Sequence, residues 1–201
     1  AVSKISVLPN DIRTGGQPTK ITFGATVTTA LAAGDTITCL AHYENGVGIF
    51  AKPGGQSSSA SYTVTVESGA PGCSVTATNT GDSASTTTAT HLNIVLADAS
   101  GSTCAISGAF SMSISTDHIA PNAATESAVE VKIATSKDSV ANYFTGYTLI
   151  EKKISNTLFK VTCTKTGAQP SKIFFGATVT TALAAGDYFQ FIANYYSDSG
   201  I

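Results

Sequence analysis

Residues 14–43 read TGGQPTKITFGATVTTALAAGDTITCLAHY. Ile37, Cys39, Ala41 and Tyr43 fall on one face of an alternating run that follows Gly34-Asp35. Period-two alternation after a tight-turn signal predicts a β-strand with one face on a core. The stretch also returns. Residues 166–187 read TGAQPSKIFFGATVTTALAAGD, and 19 of these 22 positions match residues 14–35 at an offset of 152. The match continues through Ala41, Tyr43, Gly48 and Ile49, which recur as Ala193, Tyr195, Gly200 and Ile201. The second copy puts Phe189, Phe191, Ala193 and Tyr195 on the face that Ile37, Cys39, Ala41 and Tyr43 occupy in the first. The chain therefore holds one full unit and the first 49 residues of another. A fixed period is the signature of modules strung into an array. That implies a structural or adhesive role before any chemistry is considered.

Alternation dominates elsewhere. Tyr62, Val64 and Val66 alternate with Thr63, Thr65 and Glu67. Phe110, Met112 and Ile114 alternate with serines, and Val129, Val131 and Ile133 with Glu130 and Lys132. Phe159, Val161 and Cys163 alternate with Lys160, Thr162 and Thr164. Each run predicts a half-buried strand. Gly15-Gly16, Pro53-Gly54-Gly55, Pro71-Gly72, Gly81-Asp82 and Pro121-Asn122 separate the runs as turns. About nine strands per unit at this spacing predict an all-β, antiparallel β-sandwich. Within TTALAAGD, Ala30–Ala33 fits a single helical turn, but the β-branched entrance and Gly-Asp exit favour a strand-to-strand turn. The units are placed at 1–152 and 153–201, with a second phase, starting near residue 50, also open. Three or four strands cannot close a sandwich alone, so the short copy predicts open edges that invite another chain.

The hydrophobic fraction of 42% supports a core, while charged residues are only 12%, about half the usual share. Ser and Thr total 53 and Ala and Gly 46, a balance that resembles secreted β-proteins. A formal charge of −2 gives no reason to expect a nucleic-acid partner. The charges are polarised. Residues 53–131 hold six carboxylates and no Lys or Arg, whereas 132–172 hold seven Lys against Asp138 and Glu151. Chance in a charge-poor chain explains this; so does head-to-tail complementarity between units. No run of about 18 apolar residues is present, so no helical membrane span is expected. No Asn-x-Ser/Thr sequon occurs. No signal peptide is visible, and a mature or excised chain would have lost one.

The four cysteines are Cys39, Cys73, Cys104 and Cys163, an even count that suggests an oxidising compartment. Cys73 and Cys104 lie within one unit and are expected to pair. Cys39 and Cys163 lie on inward parities of different copies, and a bond between them would staple one copy to the next. No CxxC or Cys/His cluster suggests zinc.

The string ITFGATVTTALAAGDTITC, with the later VEVKIATSKDS, resembles the "TALAAGDTIT" β-sandwich repeats of very large secreted surface proteins of microalgae and protists. Some of these build fibres, including flagellar hairs (mastigonemes). The resemblance covers 20–39 and 129–139, with 172–189 repeating the first. It implies an Ig-like extracellular module and carries no catalytic residues. The cysteines are not part of it.

Residues with chemical potential are scattered. His42, His91 and His118 share no metal-ligand spacing, and the parity of His42 predicts solvent exposure. Gly81-Asp82-Ser83 sits in a polar loop, and no GxSxG elbow exists. Asp98, Asp117 and Asp138 stand at strand ends, where calcium loops occur, but without the twelve-residue spacing. The Thr86-Thr87-Thr88 tract is too short and irregular for an ice-binding face. No catalytic, cofactor or metal residue is therefore expected. Phe189, Phe191 and Tyr195 share the inward parity, while Tyr188 and Tyr196 point outward. The outward pair is expected to form a contact between modules, with a sugar-stacking platform as the other reading. The sequence thus predicts a non-enzymatic extracellular repeat protein whose partners are copies of itself, joined head to tail in a fibre, filament or surface layer. The alternative is a carbohydrate- or ligand-binding module of a cell-surface adhesin, with surface glycans as partners.

Overall fold

The structure, a computed structural model, describes residues 1–52, 61–79, 87–125, 127–138, 144–151, 154–162, 165, 167–179, 182–183, 185, 188 and 190. It divides into two units, Ala1–Glu151 and Lys152–Ile201. The first unit begins with β1 (Val2–Pro9), β2 (Lys20–Val27), β3 (Leu31–Ala32), β4 (Thr36–Tyr43), β5 (Phe50–Ala51), β6 (Ser61–Tyr62) and β7 (Val64–Ser68). It continues with β8 (Cys73–Thr78), β9 (Thr88–Ala89), β10 (His91–Asp98), β11 (Ala105–Ile106), β12 (Ala109–Ser115), β13 (Ala128–Thr135) and β14 (Phe144–Thr148). One four-stranded sheet runs β1-β2-β12-β7 and one six-stranded sheet runs β14-β13-β4-β10-β8-β6. Every pairing between these strands is antiparallel.

Side-chain parity builds the core. Ile21, Phe23, Ala25 and Val27 of β2 and Phe110, Met112 and Ile114 of β12 are buried from one sheet. Ile37, Cys39, Ala41 and Tyr43 of β4, Leu92, Ile94 and Leu96 of β10, and Val129, Val131 and Ile133 of β13 are buried from the other. They form one hydrophobic cluster, an arrangement consistent with a β-sandwich. Polar residues take most of the alternate positions, with Leu40 and Val95 among the exceptions.

Two local readings are corrected. The run Tyr62–Glu67 is not one strand. β6 pairs with β8 in the six-stranded sheet, whereas β7 pairs with β12 in the four-stranded sheet. The chain changes sheets at Thr63, whose backbone N–H leaves the ladder and donates to Nε2 of His118 at 3.0 Å. This side-chain acceptor takes the place of the ladder carbonyl where the strand breaks. The ring of His118 also packs on Tyr62, with centroids 5.0 Å apart. His42 is not fully exposed either. Its side chain is 18% exposed and lies 3.9 Å from Glu130 across the outer face.

The TTALAAGD segment is a turn around the short strand β3, which pairs with β11. Gly34 sits at φ 89°, the left-handed region that glycine adopts without penalty. Asp35 closes the turn by accepting the Ala32 N–H at 2.8 Å. Lys137 and Ser136 also bind its carboxylate, and the Ala32 amide together with these partners holds the pKa below the usual value.

The chain enters and leaves the first unit at opposite ends of the four-stranded sheet. The Ala1 ammonium is held by Thr28 and, at 2.9 Å, by Asp138, just past the ends of β2 and β13. Ile150 is bonded to Ile12 and Thr14, past the far end of β1. β1 spans 8 residues, so these two points are separated by about 26 Å of strand at about 3.3 Å per residue.

The second unit contains β15 (Ile154–Val161) paired with β16 (Ile173–Val179). Its register is that of β1 on β2. Val2↔Val27, Val7↔Phe23 and Pro9↔Ile21 become Ile154↔Val179, Phe159↔Phe175 and Val161↔Ile173. Each pair has the same irregularity, between Ser3 and Ser6 and between Ser155 and Leu158. Within it stands a non-glycine residue with left-handed backbone, Lys4 at φ 48° and Asn156 at φ 50°. Such a residue is costly unless its surroundings require it, here a β-bulge. The turn is fastened alike. The Asn10 side-chain oxygen accepts the amides of Thr19 and Lys20, and the Thr162 hydroxyl accepts those of Ser171 and Lys172.

Candidate assembly surface

The two hairpins differ in what covers them. Val7, Ile21, Phe23 and Leu31 are at most 1% exposed. At an offset of 152 stand Phe159, Ile173, Phe175 and Leu183, each 47% exposed or more. The half-buried strand expected over Phe159 and Val161 is therefore corrected: β15 is largely exposed. In the first unit the six-stranded sheet lies over this face and β12 pairs the outer edge of β2. Among the described residues no strand pairs the corresponding edge of β16.

The opposite face of the second hairpin is apolar as well. Leu158 and Phe174 are 56% and 49% exposed, where the first unit has Ser6 and Thr22. Alternation then no longer separates a wet face from a dry one. Exposed apolar clusters of this kind mark interaction surfaces.

The glycines record the same difference. A Cβ placed on Gly24 would lie 2.5 Å from the carbonyl oxygen of Phe110 on β12, so the close approach of these strands depends on glycine. Gly176 occupies the same position in β16, and the nearest atom to a Cβ there is Leu158 Cβ at 4.0 Å.

Charge follows the same division. Lys20 of the first hairpin pairs with Glu67 of β7 at 2.7 Å, and Ser113 donates to the same carboxylate at 2.5 Å. Lys20 and Ser113 hold the Glu67 pKa below its usual value. Lys172, the counterpart of Lys20, has no acidic partner among the described residues.

Cys73 and Cys104 form a disulfide, with Cα atoms 4.2 Å apart and a sequence separation of 31. It ties the start of β8 to the loop before β11. Asp98 completes that corner by accepting the Cys104 N–H at 2.8 Å. Cys39 is instead a free thiol buried in the core. Burial pushes its pKa up to about 12, which leaves it inert as a nucleophile. The staple considered between Cys39 and Cys163 is thus not formed at Cys39, because β4 turns that thiol into the core. Cys163 lies outside the described residues.

Tyr188 is 85% exposed. Tyr196, Phe189, Phe191 and Tyr195 lie outside the described residues, as do Gly81-Asp82-Ser83 and Thr86. His91 Nδ1 bonds the Thr90 hydroxyl at 2.8 Å, and Asp138 binds Thr29 as well as the amino terminus. Among the described residues no group of three or more His, Cys, Asp or Glu is placed to hold a metal ion. No described helix is long and apolar enough to cross a membrane.

No protein-family model, curated protein or solved structure matches the chain.

Proposed function

We propose that this chain is a structural, non-enzymatic, extracellular protein built of Ig-like sandwich modules with a 152-residue period, and that its modules join head to tail into a fibre, filament or surface layer. The observation that carries this reading is the second hairpin. It repeats the register, bulge and turn fastening of the first, yet leaves the equivalents of four core side chains uncovered. A hairpin of this kind is half of an interface. The opposite ends at which the chain enters and leaves a module let successive modules extend in a line. The disulfide fits an oxidising, extracellular setting.

Negative-stain electron microscopy with analytical ultracentrifugation tests the proposal. Linear, end-to-end assemblies that lengthen with concentration are expected. Monodisperse particles at every concentration would oppose it. Exposed Tyr188 also suits sugar stacking, so a glycan-array signal lost in Tyr188→Ala would favour the adhesin reading instead.

A further inference from the structure

We infer that the β15–β16 hairpin of one copy takes the place of β1–β2 in a second copy, lying along that copy's β12 and under its six-stranded sheet. The inference rests on the head-to-tail reading and names the contact that would produce it.

Four observations identify this occupant. The first is register: a body that accepts β1–β2 meets the same bulge and the same pair spacing in β15–β16. The second is side-chain identity. Ile173, Phe175, Ala177 and Val179 repeat Ile21, Phe23, Ala25 and Val27, the residues that β2 sends into the core. The third is Gly176, which leaves open the space that the β12 carbonyl requires at Gly24. The fourth is charge. Lys172 would meet Glu67 as Lys20 does. More broadly, the segment 152–172 carries five lysines against no carboxylate, and 53–131 carries six carboxylates against no Lys or Arg. Two such hairpins repel one another, whereas hairpin and body attract.

Chain reach makes the exchange intermolecular. Ile150 is fixed beside Ile12 and Thr14, past the far end of β1. Ile154 would have to stand where Val2 stands, about 26 Å away along a strand of 8 residues. The four residue steps from Ile150 to Ile154 span about 14 Å at most. A hairpin therefore cannot replace β1–β2 of its own body but can do so in the next copy.

The displaced β1–β2 exposes Val7 where the free β15–β16 exposed the larger Phe159, so the exchange lowers exposed apolar surface at that position, while Leu158 and Phe174 take the outward places of Ser6 and Thr22. Against this, Phe159 brings a ring to a site that holds Val7. A concentration-dependent equilibrium is expected, not a fixed dimer.

Disulfide trapping tests the contact in the full chain with Cys163→Ser. Ala109 of β12 faces Thr26 of β2, so in the exchanged state it faces Thr178. Cysteines at Ala109 and Thr178 should give a ladder of covalent oligomers on a non-reducing gel. Adding Gly176→Ala should abolish the ladder, while circular dichroism and the melting curve of the first unit stay unchanged. Cysteines at Ala109 and Thr26 control for strand geometry and should close within one chain. Assemblies in the microscope without the Ala109–Thr178 bond would overturn the exchange and leave the head-to-tail reading standing. Covalent dimers from the Thr178 cysteine alone would also overturn it, because two hairpins would then be pairing with each other. A chain that is monomeric throughout overturns both.

Discussion

Gly24 is the residue on which the four-stranded sheet turns. Any Cβ there meets a backbone carbonyl, which cannot rotate away as a side chain can. Gly24→Ala should therefore destabilise the first unit by about 1–3 kcal/mol, the usual range for an overpacked core, seen as a lower denaturant midpoint. Asp138 makes a different prediction, through pH. Its side chain is only 7% exposed and accepts from the amino terminus and Thr29. The amino-terminal hydrogen bond, then those of Thr29, lower its pKa from 3.8 to about 2. A lowered carboxylate stabilises the fold fully above its unfolded pKa and ceases to do so as pH falls through its folded one. Asp138→Asn should melt below the wild type at neutral pH, and the two curves should converge as pH drops from about 4 to about 2. Equal gaps at both pH values would refute the assignment.

At the scale of elements, the disulfide closes the β8–β11 region. By loop entropy a 31-residue closure is worth about 3–4 kcal/mol, so Cys73→Ser/Cys104→Ser should lower the melting temperature markedly. An unchanged melting temperature would mean the β8–β10 ladder alone fixes that region. This pairing, and the inward parities of β4, β12 and β13, were legible in the sequence because alternation and spacing are local. The split of Tyr62–Glu67 between two sheets was not. Tyr62 and Val64 keep the same alternation on either side of Thr63, and only the distant acceptor His118 reveals the break. The exposure of Phe159 and Phe175 was hidden for a related reason. Parity tells which face of a strand is apolar, not whether anything covers it. The signal that was available is Thr22 becoming Phe174 and Ser6 becoming Leu158 between copies, since an outward position that turns apolar shows that the wet and dry faces of the first hairpin are not kept in the second.

For the molecule as a whole, the placement of the two ends decides how it carries tension. A pull on Ala1 and Ile150 runs parallel to β1, from one end of the sheet to the other. The bonds between β1 and β2 are then loaded together in shear and must fail together, instead of opening one by one from a free end. Single-molecule force spectroscopy with handles at residues 1 and 151 should therefore record a far higher rupture force than handles that peel β1 outward at right angles. The disulfide sets the length released. While Cys73 and Cys104 are joined, the 31-residue span between them cannot pay out, and reduction should lengthen the extension step by about 3.3–3.6 Å for each residue freed. A strand of such modules would be stiff until its bonds shear, and would then lengthen by a step whose size depends on the redox state of its surroundings.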